Sequence, residues 1–575
     1  MILVAGILAG FVEMVGTTSV LPFLAAVAAP ERVLENPYLK QAYQALGCVD
    51  TQQFLFYLGF TTVLAIGVAN GTGALFMFLS KEFVAQQART LAGALFRSHL
   101  DRPYVEQIQK RAREDKLLTL GYRIAIGIYQ PMILLVSRLF VIVCFLLVML
   151  LARPALAGMV SLILGGAYAL IYRLVDRVVT REGITLRAAA NRRTSVVIEA
   201  ISAMKEVKIL GCEQHLADQF QESTNRWVHS QERTQLLSTV PRYLVETVTF
   251  GTLVVAVLFL LWRGENVATI LPTLALFALS GYRMMPALQQ VFSSLALIRY
   301  YRPFLSEITQ DLRLATPTSS AQTACERMML GDSITLEGVD FAYPGASETV
   351  LSGLSLSLPA NRTIGVVGTT GSGKTTFVDL LMGLLSPTAG RVLIDQSPLT
   401  SENLRAWQRA IGYVPQHIFL ADDSIRNNVG YGIAADQVDT ARVREVLEIA
   451  QLGSFVEELP EGLETNVGER GVRLSGGQRQ RIGIARAIYH DPSFIVFDEA
   501  TSALDTVTEE AFLGALQSLK GRKTILIIAH RLATLSECDE ILVVDQGQIL
   551  ARGQYRNLLE TCEPFKQLAQ AGAGS

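Results

Sequence analysis

The chain has 575 residues, half of them hydrophobic, with a mean hydropathy of +0.33, which is too long for one domain and too apolar for a soluble enzyme. A formal net charge of −2 supplies no overall field for nucleic acid. The six cysteines (Cys48, Cys144, Cys212, Cys325, Cys538 and Cys562) form no C-x-x-C pair and do not cluster with histidines, so they read as free thiols rather than disulfides or a zinc site.

Apolar residues concentrate before residue 300, and hydropathy predicts six membrane spans, roughly at 2–28, 54–79, 132–151, 155–172, 243–262 and 267–285. The stretch 80–130 carries nine Lys/Arg and 173–242 carries eleven, whereas the opposite loops hold only Arg32 and Lys40, then Arg153, then Arg263. The positive-inside rule therefore places both long loops, and everything after the sixth span, in the cytoplasm. No basic segment precedes the first apolar run and Glu13 interrupts it, which argues against a signal peptide. After that run, PYLKQAYQAL (37–46) sets Tyr38, Leu39, Ala42, Tyr43 and Leu46 at helical spacing. Such a helix either lies on the outer membrane surface or simply packs on the spans.

In the cytoplasmic loops, 103–116 (PYVEQIQKRAREDK) and 206–211 (EVKILG) running into 212–220 are polar helical stretches suited to touching the domain that follows the sixth span. Two arginines stand where a bilayer disfavours charge. Arg242 opens the fifth span with Glu246 one turn away, leaving open a structural ion pair or a functional charge. Arg283 lies in the sixth span with Leu279, Ser280, Pro286 and Ala287 at i±3 and i±4, so no acidic neighbour offsets it. The composition of 306–332, including TPTSSAQT at 316–323, is that of a linker.

From residue 333 onward, strands and helices alternate as in an α/β domain. An apolar strand at 363–367 runs into GTTGSGKTT (368–376), which fits G-x-x-x-x-G-K-[ST] and precedes a helix-compatible run. Gly368, Gly371 and Gly373 let backbone N–H groups curl around phosphate oxygens, with Thr369, Thr370, Ser372 and Thr376 completing the loop. Lys374 is expected to reach the β- and γ-phosphates and Thr375 to ligate Mg²⁺. FIVFDE (494–499) reads as a buried strand ending in a metal-holding Asp498 and a water-activating Glu499. Between them, LSGGQ (474–478) puts Ser475, Gly476, Gly477 and Gln478 at a helix start, a second anion site.

LSGGQ marks the chain as resembling the ABC (ATP-binding cassette) family. The resemblance implies an all-α, six-helix transmembrane domain of the exporter (type IV) fold at 1–305, a linker at 306–332, and an α/β P-loop nucleotide-binding domain at 333–575. It implies that Tyr343 in FAYPG stacks on adenine, that Gln416 in YVPQ senses Mg²⁺ and the γ-phosphate, and that Asp505 in SALD and His530 belong to the D-loop and the switch. NVGERG (466–471) resembles a loop of exporters. Members sandwich each ATP between one P-loop and the partner's signature, so one set of motifs and six spans imply a homodimer with two ATP and Mg²⁺ sites. With Glu499 and His530 both present, both sites are expected to hydrolyse. Relatives usually begin with an amphipathic elbow helix, so the resemblance leaves open a truncated or a misassigned start. The implied location is the inner membrane of a bacterium, multi-pass, with the cassette cytoplasmic and no nucleic-acid partner.

The membrane half resembles PglK-type lipid-linked-oligosaccharide flippases, through FVEMVGTTSVLPFL (11–24), VPRYLVET (240–247), SGYRMMPALQQ (280–290) and the short outer stretch after the first span. That implies a pyrophosphate-linked oligosaccharide lipid as cargo, met by Arg242 and Arg283. The alternative is a multidrug, peptide or lipid A-type exporter.

Overall fold

The computed structural model describes residues 1–28, 37–48, 50–109, 121–262, 267–314, 326–346, 348–499, 506–529 and 532–573. They form two compact units, one of Met1–Arg102 with Arg111–Thr318, the other of Pro103–Lys110 with Ser319–Ser575.

The first unit is helical. Among the described residues, four segments are long and apolar enough to cross a membrane: Ile2–Leu24, Thr51–Leu100, Gly121–Ala152 and Pro154–Val175. Helices Pro241–Trp262 and Val267–Leu314 cover the stretches expected for spans five and six. Thr51–Leu100 has 50 residues and Pro154–Ser202 has 49. At 1.5 Å per residue each is about 75 Å long, more than twice a hydrocarbon core of about 30 Å. Each therefore carries its span well beyond the membrane. Phe56 and Phe60, on the second span, are 81% and 70% exposed, as lipid-facing side chains should be.

The first span departs from the single helix expected over 2–28. It is interrupted at Ser19, between Ile2–Thr18 and Val20–Ala28. Pro22 has no N–H to offer the Thr18 carbonyl. The Thr18 hydroxyl donates to Met14 O at 2.8 Å and the Ser19 hydroxyl to Gly16 O at 2.7 Å, local bonds that bend a helix. Glu13 is partnered across the spans: Arg138 Nη1 donates to its Oε2 at 3.1 Å. Helix Gln130–Ala152, which carries Arg138, comes close enough that a Cβ on Gly10 would stand 2.9 Å from Val141. The short helix forms over Pro37–Ala45, with Tyr43 edge-on to Phe54 at 5.4 Å. Leu46 is exposed, and the side chains of Tyr38 and Leu39 lie outside the described residues. The cytoplasmic stretch after 206 ends a helix, Met204–Leu210, at Gly211, whose φ of +63° is the left-handed stop that glycine supplies.

The second unit is layered. A four-stranded antiparallel sheet has the order β2-β1-β4-β5, from β1 (Ser333–Phe341), β2 (Leu351–Pro359), β4 (Ala389–Ile394) and β5 (Ser397–Pro398). A six-stranded sheet has the order β10-β9-β3-β8-β7-β6. Its strands are β3 (Thr363–Val367), β6 (Ile411–Val414), β7 (Phe494–Asp498), β8 (Thr524–Ile528), β9 (Glu540–Asp545) and β10 (Gln548–Gly553). Only β10 runs antiparallel to its neighbour; the other pairings are parallel. Every residue of β3 and β8 is buried, as strands covered on both faces require. Segment Tyr104–Gln109, from the first cytoplasmic loop, belongs to this unit, with Val105 against its core. The rest of the 103–116 stretch, from 110 on, lies outside the described residues.

Candidate nucleotide-binding site

Strands β3, β6, β7 and β8 run in parallel, so the segments leaving their carboxyl ends gather along one edge of the sheet. Those segments are the P-loop after β3, Gln416 after β6, Asp498 at the end of β7 with Glu499 next, and Ala529 after β8. This is where open α/β sheets bind ligands.

The P-loop is shaped by backbone demands that only glycine meets. A Cβ on Gly368 would stand 2.1 Å from Val544 O, and Gly373 holds φ +99° at the start of helix Lys374–Leu381. Lys374 is buried, and its Nζ donates to Gly368 O at 2.9 Å and Thr369 O at 2.8 Å. Burial lowers its pKa, opposed by the charge of Glu499. Ser372 Oγ is buried with no partner among the described residues, a hydroxyl left for a phosphate oxygen. Thr369 Oγ1 reaches Asp545 at 3.5 Å, while Thr370, Gly371 and Thr375 are exposed. Tyr343 OH pairs with Thr376 Oγ1 at 3.1 Å, which brings its ring beside the first turn of the P-loop helix.

Glu499 adopts φ +48°, a left-handed conformation that a non-glycine residue holds only when its surroundings impose it. Its N–H donates to Ile528 O at 3.1 Å, and Gln416 Nε2 donates to its Oε2 at 2.6 Å. The two residues expected from separate motifs thus touch. Tyr413 OH donates to Asp498 Oδ2 at 3.1 Å. Thr375, Gln416 and Asp498 offer oxygen ligands only, the set a hard divalent cation such as Mg²⁺ takes. No group of three or more His, Cys, Asp or Glu side chains forms a metal cage among the described residues, so the ion would share its shell with phosphates. Asp505 and His530 lie outside the described residues.

Ser475 caps helix Gly476–Tyr489 in a reciprocal box: Gln478 N donates to Ser475 Oγ at 3.2 Å, and Ser475 N to Gln478 Oε1 at 2.8 Å. Ser475 and Gly476 are exposed, Gly477 half-buried. Among the described residues, a Cβ on Gly476 would meet nothing within 4 Å. Arg442 braces the other end of the helix, donating to Ile488 O and Tyr489 O at 3.0 Å each. Arg486 donates to Phe419 O at 2.7 Å and Asn428 O at 2.8 Å, tying the helix to the segment that follows Gln416.

The family model described as ABC transporter matches residues 351–502. The ATP-dependent lipid A-core flippase of Alkalilimnicola ehrlichii is 30% identical over 471 residues, 81% of this chain and 79% of that protein. The chain belongs to the ABC transporter family. The lipid A-core flippase of Coxiella burnetii is similar along 90% of this transporter and 87% of its own length, at 29% identity. The heterocyst differentiation ATP-binding protein HepA of Nostoc is 32% identical over 64% of this chain, but only 60% of HepA is spanned. The match to the Ralstonia nicotianae flippase spans 38% of that protein. A solved bacterial Atm1-family ABC exporter with ATP bound shares the fold, with a TM-score of 0.80 at 22% identity over all of this chain and 98% of that one. The second unit is thus the ATPase domain of an ABC transporter, and the whole has the exporter fold.

The transporter's site also holds groups that motif reading passed over. Asp379, in the P-loop helix one turn beyond Thr375, is 7% exposed, and burial with the Asp498 charge raises its pKa to about 6. Burial and then Asp379, Tyr343 and Asp498 raise the phenol of Tyr104, setting the first-loop segment electrostatically beside the same carboxylates. Thr375 and Asp379 stand at i, i+4, a spacing that could have flagged the aspartate. A carboxyl raised by the fold favours its protonated form, so its stability contribution is fullest below the unfolded value of 3.8 and is lost as pH rises through about 6. Asp379→Asn should therefore stabilise the transporter by up to about 3 kcal/mol at pH 8 and about half that at pH 5. Thermal unfolding of the full chain at the two pH values checks this; a pH-independent change would refute it.

Proposed function

We propose that the transporter is a homodimeric, ATP-driven flippase for a lipid-linked cargo whose headgroup carries a pyrophosphate. At each ATP site, Tyr343 stacks on adenine, the P-loop from Gly368 to Thr376 wraps the phosphates, and Lys374 meets their charge. The partner's Ser475–Gln478 segment closes over the γ-phosphate, and Gln416 holds Glu499 ready to orient the attacking water. Asp505 and His530 complete the pair of sites. Thr375 and Asp498, with Gln416 nearby, would hold a Mg²⁺ ion, which would supply neutralising charge to the phosphates.

One observation carries the cargo reading. Arg283 is half-buried within helix Val267–Leu314 and, among the described residues, has no ion-pair or hydrogen-bond partner. An unpaired arginine at membrane depth is tolerated where it meets water or an anion, and its fork of donors suits paired phosphate oxygens. Arg242 is exposed at the start of Pro241–Trp262, and no ion pair joins it to Glu246, which leaves it free to serve the same anion. The names of the flippase relatives favour a second reading, a lipid A-core cargo.

In proteoliposomes, Arg283→Ala and Arg242→Ala should slow flipping of a pyrophosphate-linked lipid about tenfold or more while leaving basal ATP hydrolysis largely intact. Arg283→Lys should rescue only in part, because a point charge does not chelate two oxygens. Full transport by the double alanine variant would end the pyrophosphate reading. Selective loss of lipid A-core transport instead would favour the second.

A further inference from the structure

Asp498 closes β7 among other acids. Its charge helps raise the carboxyl of Asp379 on the P-loop helix, and Glu499 follows it in the chain. Burial raises the Asp498 carboxyl, the hydrogen bond from Tyr413 opposes that rise, and the Glu499 charge adds to it. A carboxylate so placed is pushed to rotate away from its neighbours unless a donor holds it. Among the described residues, the side-chain hydrogen bond that reaches its carboxylate is the one from Tyr413, at 3.1 Å.

The strand register explains why a tyrosine does this. In the parallel pairing of β6 with β7, Tyr413 lies opposite Val496, two residues short of Asp498. Two strand residues advance about 6.6 Å, roughly the reach of a tyrosine from Cα to hydroxyl. Strand β6 is the edge of the sheet, which leaves the ring room to lie along it, and the residue is 40% exposed. A phenylalanine would cover the same sheet surface but offer no donor.

We infer that Tyr413 is a positioning residue that holds the Asp498 carboxylate in the rotamer that takes the nucleotide's metal ion. The inference rests on the reading of Asp498 as the metal-holding carboxylate. It assigns the residue three before Gln416 to metal affinity rather than to nucleotide contact, and it separates the hydroxyl from the ring.

The test uses the full-length transporter in nanodiscs and a fluorescent ADP analogue, titrated in EDTA and across a range of Mg²⁺ concentrations. Tyr413→Phe should bind the analogue in EDTA within about twofold of wild type but need about three- to tenfold more Mg²⁺ to reach the metal-bound signal. Asp498→Asn is the comparator and should shift the Mg²⁺ midpoint further still. An unchanged midpoint in Tyr413→Phe, with a shifted one in Asp498→Asn, would overturn the role of the hydroxyl while leaving Asp498 as metal holder. An unshifted midpoint in Asp498→Asn would instead overturn the metal reading on which the inference stands. Equal weakening of Tyr413→Phe with and without Mg²⁺ would show that the tyrosine only supports the fold.

Discussion

Replacing Glu499 by glutamine will stop steady-state ATP hydrolysis while leaving ATP binding in place. Glutamine keeps the length and shape of the side chain, so the backbone at φ +48° is no more strained than before. It also keeps an oxygen for the Gln416 Nε2 contact, 2.6 Å in the native chain. What disappears is basicity. Loss of a positioned general base lowers a rate by about 10²–10⁴-fold. The P-loop, with Lys374 bonded to Gly368 O and Thr369 O, is untouched. The variant should therefore trap ATP and accumulate a closed, ATP-bound state, read by nucleotide retention through gel filtration beside phosphate release. Turnover near the wild-type rate would remove Glu499 from the base role.

The parts of this molecule that could be read from its sequence are those set by backbone requirements over a few residues. Gly368 and Gly373 sit where a Cβ would collide or φ is positive, so the P-loop announces its shape locally. Strand β7 is buried up to Asp498, as an apolar run ending in carboxylates implies. Partners distant in the chain were beyond such reading. Glu13 could be seen to interrupt the first span, but its ion pair is with Arg138, 125 residues away. Tyr413 and Asp498 are 85 residues apart, and only the β6–β7 register joins them. The interruption at Ser19 had a legible cause in Pro22, yet hydropathy averages over it. The polar helical pattern of 103–116 did mark that loop as suited to touch the cassette, and its residues 103–110 belong to the cassette's compact unit.

Mixing two inactive subunits should restore activity if each ATP site is built from two chains. Gly476 is consistent with this: among the described residues a Cβ there would meet open space, so the position has room for something approaching from outside. The exposed Ser475, capping helix Gly476–Tyr489, stands at the same surface. Lys374→Ala removes the phosphate-facing charge from one P-loop, and Ser475→Arg blocks one signature; each homodimer should lose about 10²-fold or more in ATPase rate. In the mixed dimer both lesions fall in one sandwich, and the other sandwich is wild type. Random pairing makes about half of the dimers mixed, each with one sound site, so activity should return to about a quarter of wild type. Recovery above either single variant, measured as phosphate release from the co-purified pair, supports sites shared between chains. No recovery leaves two explanations, obligatory pairing of the sites or a site confined to one chain. Cysteines placed at 371 and 477 separate them: an intersubunit disulfide in the ATP-bound Glu499→Gln dimer means that the sites are shared and must fire together. Failure to crosslink in that trapped dimer would refute the two-chain site.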